Sequence, residues 1–188
     1  MKAISPTKSF WRVALNDYVR VGTFFPSTKF ASRRVARWLP ENTQVVVEYG
    51  AGTGNVTREL LKRLPINGRL ITVEQNPEFI ERLRKIGDPR LEVIHGDVLE
   101  VSKRLPTIDP RGVDAVVSGI PFCFMKDQSC DTVVLSTRKA LKATGRFIVY
   151  QNSVKIGEVL KNHFPRVKRF FEPRNFLPYF IFVAGRNS

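Results

Sequence analysis

The stretch Glu48-Tyr49-Gly50-Ala51-Gly52-Thr53-Gly54-Asn55 carries the densest chemical content of this 188-residue chain. Glycine at 50 permits a tight turn, glycine at 52 lets a ligand approach the backbone, and glycine at 54 lets a following helix pack closely. The spacing is G-x-G-x-G, and no Lys-Ser/Thr pair follows, which argues against a dinucleotide pyrophosphate loop and a P-loop. A carboxylate at Glu48 would repel a phosphate in this cradle and suits a ligand carrying an ammonium group. Two more acids follow at matching places. Glu74, with Gln75 after it, ends the next apolar run, where a carboxylate can accept two hydrogen bonds from ribose hydroxyls. Gly96-Asp97-Val98 follows the third run, and Asp97 can accept from an adenine exocyclic amine.

A fourth run, Val113–Ser118, leads into Gly119-Ile120-Pro121-Phe122. Other chemistries have less material. The two histidines, His95 and His163, read as structural, and no metal-ligand spacing accompanies them. Cys123 and Cys130 are too few for a disulfide framework and read as free thiols in a reducing compartment.

The elements that must hold these residues can be read from periodicity. Strands are predicted at residues 44–48, 69–74, 91–95, 113–118, 145–151, 166–171 and 177–184. Helices are predicted at residues 29–39, 56–64, 77–86, 127–141 and 153–163. Asn76 caps the 77–86 helix, and Pro77 stands at its first position. Strands alternating with helices imply βαβ units and a parallel sheet, and the last two strands, with no helix between them, imply an antiparallel edge hairpin. The three acids then sit at the carboxyl ends of three successive strands, where open α/β sheets bind ligands.

With these residues in place, the sequence resembles the class I S-adenosylmethionine-dependent methyltransferases. The likeness rests on Val47–Gly54, Val73-Glu74, Gly96-Asp97-Val98 and Asp114–Phe122, and it spans roughly residues 44–184. It implies a Rossmann-like α/β fold with a seven-stranded, mostly parallel sheet in the order 3-2-1-4-5-7-6, the seventh strand antiparallel. S-adenosyl-L-methionine is the implied cofactor. Glu48, Gly50, Ala51, Gly52, Gly54 and Asn55 would serve its methionine part, Glu74 and Gln75 the ribose, and Gly96, Asp97 and Val98 the adenine, with Ser118 beside the methyl. No metal is implied.

The loop Ser118-Gly119-Ile120-Pro121-Phe122 is similar to the N-x-P-Y/F loop of adenine and amino-group methyltransferases. Gly119 stands where the Asn of that loop would. Glycine has no side chain to hold a base, which leaves backbone carbonyls around Ser118, Gly119 and Ile120 to orient a small amine. Phe122 offers a π face to a cationic headgroup.

The charge distribution narrows the acceptor further. The net charge is +14. Residues 1–40 hold eight Lys/Arg against one acid, and residues 151–188 hold seven against two, so a nearly neutral centre lies between basic ends. That pattern suits a polyanionic partner. Residues 10–20 can form a helix with Trp11 and Leu15 on one side and Arg12 and Arg20 on the other, as an interfacial helix on anionic lipid would. Near the other end, Arg174 is suited to bidentate phosphate contact, with Asn175 beside it.

With Phe25-Pro26-Ser27 and VEQNP at residues 73–77, the whole is similar to the short bacterial phospholipid N-methyltransferases. The resemblance implies stepwise methylation of phosphatidylethanolamine toward phosphatidylcholine. It implies an N-terminal helical extension over residues 1–40 that binds the membrane, and a methyltransferase domain over 41–188. The expected protein is a monomer, cytoplasmic and peripheral on the inner face of the cell membrane. Tyr18 and Tyr179 are candidates for taking the amine proton, with water as the alternative. Nucleic acid ranks behind lipid as partner. The rival readings are an rRNA adenine N6-dimethyltransferase, disfavoured by Gly119 and by the lack of a C-terminal helical domain, and a non-catalytic basic adaptor, disfavoured by the intact acid–glycine set.

Overall fold

The computed structural model describes residues 29–173 and 178–187. Val45–Tyr49 (β1) is buried at every position, as a central strand covered on both faces requires. It runs parallel to Arg69–Glu74 (β2) on one side and to Val113–Ser118 (β4) on the other. Leu91–His95 (β3) extends the sheet beyond β2, and Leu141–Gln151 (β5) beyond β4. Tyr179–Gly185 (β7) pairs antiparallel with β5, and Arg166–Glu172 (β6) pairs antiparallel with β7 at the edge. The order is β3-β2-β1-β4-β5-β7-β6, as the resemblance implied.

Helices cover both faces. Lys29–Ala36 (α1) and Asn55–Leu61 (α2) share one core with Val46, Leu70, Val117 and Ile181. Val98–Ile108 (α4), Asp127–Ala140 (α5) and Ile156–His163 (α6) share the other with Val47, Ile71, Val116 and Phe147. Pro77–Arg84 (α3) buries Ile80 and Leu83, and Asn76 caps it as expected, accepting from the Glu78 N–H at 2.9 Å. The sheet therefore reverses its winding between β1 and β4, and a crevice opens at their carboxyl ends.

Several boundaries differ from expectation. Helix α1 stops at Ala36 rather than Leu39, and Trp38 instead stacks on Phe170 of β6 at 4.3 Å. Phe30, in the first turn of α1, is 64% exposed. Arg34 reaches the buried Glu172 carboxylate at 2.7 Å and ties α1 to the edge strand. Strand β5 begins at Leu141 rather than Gly145, and α6 begins at Ile156 rather than Ser153. Helix α4 was not anticipated, although Val98, Val101 and Leu105 have helical spacing. Pro106 in its last turn breaks the local pattern, and burial of those three side chains outweighs that. Among the described residues, no helix is long and apolar enough to cross a membrane.

Candidate active site

The glycine loop is built by backbone conformations that favour glycine. Gly50, Gly52 and Gly54 all have positive φ, at 71°, 52° and 79°. At Gly50 the space is closed as well, since a Cβ there would lie 2.8 Å from Cγ2 of Ile120. The β1 loop thus packs directly against the β4 loop, and both line the crevice with Glu74 and Asp97.

Glu74 does more than close β2. Its Oε2 accepts from the Gly52 N–H at 2.9 Å, and its Oε1 accepts from the N–H groups of Gln75 and Asn76. One carboxylate therefore fixes the glycine loop and the β2 turn together, with a lone pair of Oε2 left to accept from a diol. Asp97 caps α4, its Oδ1 accepting from the Leu99 N–H at 2.7 Å. Gln75 and Val98 line the same crevice, Gly96 follows β3, and the apolar walls include Val73, Ile120 and Met125. Two carboxylates at the rim of an apolar slot are the acceptor set that an adenosine's hydroxyls and amine need, and the residues present fit that group.

Glu48 lies elsewhere. It is fully buried on the α2 side of β1, where Oε2 accepts from the Thr57 hydroxyl at 2.7 Å, and Oε1 has no partner. Burial pushes its carboxyl up to about 8, against the Thr57 bond and with help from the Glu74 charge. Ala51 is buried within the loop, and Asn55 opens α2. Ser118 is buried at the end of β4 with its hydroxyl unsatisfied.

The acceptor loop differs from expectation in one side chain. Phe122 is 3% exposed, and its ring packs edge-on against Phe147 at 6.4 Å, so its π face belongs to the core. The more exposed aromatic of this turn is Phe124. Gly119 and Ile120 line the crevice, and the Gly119 N–H donates to the Tyr49 carbonyl. Tyr179 is buried, its ring 6.0 Å from that of Tyr150. Tyr18, Arg174, Asn175 and the predicted 10–20 helix lie outside the described residues.

Two residues were missed in the sequence. Gln151, at the end of β5, accepts from the Phe122 N–H through Oε1 and donates through Nε2 to the Ser153 carbonyl, so it braces the acceptor loop. Its signal was its place at a strand's carboxyl end. Tyr150, its neighbour, had none. Among the described residues, no group of three metal-ligating side chains forms, and both cysteines are free.

A methyltransferase domain model matches residues 46–145, the region from β1 to the middle of β5. An ornithine lipid N-methyltransferase of Singulisphaera acidiphila is 32% identical over 169 residues, covering 84% of each chain. This chain is a class I S-adenosylmethionine-dependent methyltransferase. An rRNA methyltransferase of Streptomyces thermotolerans is 39% identical over 85 residues, covering 44% of this chain and 25% of that one. The methyltransferase fold recurs in an N-methyltransferase, NodS, of Bradyrhizobium japonicum, with a TM-score of 0.68, 13% identity, and 84% and 94% of the two chains covered. It recurs in 1,6-didemethyltoxoflavin-N1-methyltransferase of Burkholderia thailandensis, with a TM-score of 0.69, 17% identity, and 100% and 93% covered. The methyltransferase's cofactor is S-adenosylmethionine, which supplies an electrophilic sulfonium methyl.

Proposed function

We propose that this methyltransferase acts on the primary amine of a lipid headgroup, with phosphatidylethanolamine as the substrate and its mono- and dimethyl forms as intermediates. The likeness to an ornithine lipid N-methyltransferase over most of both chains carries this reading. The acceptor loop supports it, because Gly119 offers no side-chain amide to hold a purine amine.

In this reading Glu74 accepts from the ribose hydroxyls and Asp97 from the adenine amine, while Glu48 lies on the methionine side of the glycine loop. The acceptor amine enters over Gly119 and Ile120, where Gln151 keeps the loop in place. Orientation does most of the work, since displacement at a sulfonium methyl needs alignment and a free nitrogen lone pair rather than a covalent enzyme intermediate. Arg174 and Asn175 take the lipid phosphate, and the basic N-terminal segment holds the enzyme on the inner face of the cell membrane.

Transfer of radiolabelled methyl groups to phosphatidylethanolamine vesicles, run beside transfer to ribosomal RNA, tests the proposal. Labelled lipid and unlabelled RNA are expected. Labelled RNA with unlabelled lipid would reverse it in favour of an rRNA adenine methyltransferase.

A further inference from the structure

Gly119 has no side chain, yet the space a side chain would take is filled. A Cβ built there would lie 2.3 Å from the Tyr150 hydroxyl oxygen and 2.6 Å from its Cζ. Sheet register explains the meeting. Ser118 of β4 pairs with Val149 of β5, so Gly119 and Tyr150 are the next residues along two parallel neighbours and share a face. Gly119 itself lines the crevice beside Gly50 and Glu74. The phenol oxygen therefore stands at the acceptor loop, in the place of the side chain that residue 119 lacks.

We propose that the Tyr150 hydroxyl positions the acceptor amine by accepting an N–H hydrogen bond from it. The assignment rests on the lipid-amine reading above. Among the described residues the Tyr150 hydroxyl has no hydrogen-bond partner, and the residue is half-buried. Burial raises its pKa well above the usual value, and the charges of Glu48, Tyr179 and Glu74 add to the rise. A phenol so placed stays neutral and does not serve as base. It accepts one N–H and thereby fixes the direction of the nitrogen lone pair. That lone pair forms the N–CH3 bond as the S–CH3 bond breaks with its electron pair left on sulfur, and the surplus proton on nitrogen leaves to water.

This role has a signature that a structural role lacks. A neutral primary or secondary amine has an N–H to offer, and a neutral tertiary amine has none. The experiment measures kcat and KM of the full-length enzyme on vesicles carrying ethanolamine, N-methylethanolamine or N,N-dimethylethanolamine phospholipid. Thermal melts and S-adenosylmethionine affinity are measured alongside. For Tyr150→Phe, kcat is expected to fall about 3- to 10-fold on the first two lipids, the loss of one neutral hydrogen bond. Transfer to the third lipid and cofactor affinity are expected to stay unchanged. Gly119→Ala, which keeps the phenol but displaces it, should lower kcat more on the first two lipids than on the third and serves if Tyr150→Phe does not fold. Equal losses on all three lipids, or no loss, would overturn the assignment while leaving the lipid reading intact. A wild-type enzyme inert on all three would overturn both.

Discussion

At the scale of single residues, the acids of the site divide their labour by burial. Glu48 is sealed beneath the loop with a raised pKa, and this has a consequence for stability. The unfolded carboxyl titrates near 4.5 and the native one near 8. Between those values the native state keeps a proton that the unfolded state has lost, so stability falls as pH rises, by as much as roughly 4–5 kcal/mol once both are ionised. Urea unfolding of the cofactor-free protein at pH 5, 7 and 9 should show that decline, and Glu48→Gln should flatten it; an unchanged slope in the variant would place the titration elsewhere. Glu74 and Asp97 face the crevice instead. Asp97→Ala is expected to weaken S-adenosylmethionine binding by about 1–3 kcal/mol through a lost buried hydrogen bond, and to cost α4 its cap, about 1 kcal/mol. Calorimetry showing unaltered affinity would remove Asp97 from the adenosine site. Glu74→Ala should cost both affinity and fold, because the same carboxylate holds three backbone N–H groups.

At the scale of elements, the crevice is held open by groups that touch no ligand. Asp114, inside β4, accepts from the N–H groups of Gln44 and Val45 through Oδ2 and pairs with Lys142 Nζ at 2.7 Å through Oδ1. It thereby locks the start of β1 to β4 and β5. Burial would raise its pKa, but Lys142 and the two backbone donors outweigh that and leave it lowered. Its contribution is present above the ordinary carboxylate range and is lost as pH falls through the lowered value. Asp114→Asn is expected to destabilise by about 1–3 kcal/mol, read as a drop in the urea midpoint at pH 7, with little change in cofactor affinity per folded molecule. Gln151 works at the other end of β5. Gln151→Ala frees the Phe122 turn, and methyl transfer should slow several-fold with cofactor affinity kept. Equal losses in binding and turnover would show that the turn supports the cofactor too.

At the scale of the whole molecule, the basic ends carry the proposal of an anionic membrane partner, and the sheet forms the crevice. Deleting residues 1–20, which hold four of the chain's basic residues, should reduce sedimentation with anionic vesicles and leave cofactor affinity similar. Sedimentation unaffected by the deletion would rule out that anchor. The strands and the glycine loop were legible in the sequence because both depend on local patterns, whereas the strand order came only from the family resemblance. β-branched runs give buried strands, and G-x-G-x-G after a strand gives a turn whose positive φ values favour glycine. Glu74 was legible for the same reason, as the last residue of its apolar run, while Glu48 falls one residue short of the end of β1 and Asp97 two residues past β3. Helix α4 was hidden by Pro106, and the ring of Phe122 was misplaced because its sequence neighbours say nothing of Phe147, twenty-five residues away. Which carboxylate is buried and which faces the crevice was settled by packing: Glu48 falls under α2, while Glu74 and Asp97 rise at the rim. The approach of Tyr150 to Gly119 likewise belongs to tertiary structure alone. It follows from the register of β5 against β4, and a register is an agreement between two strands that neither one carries by itself.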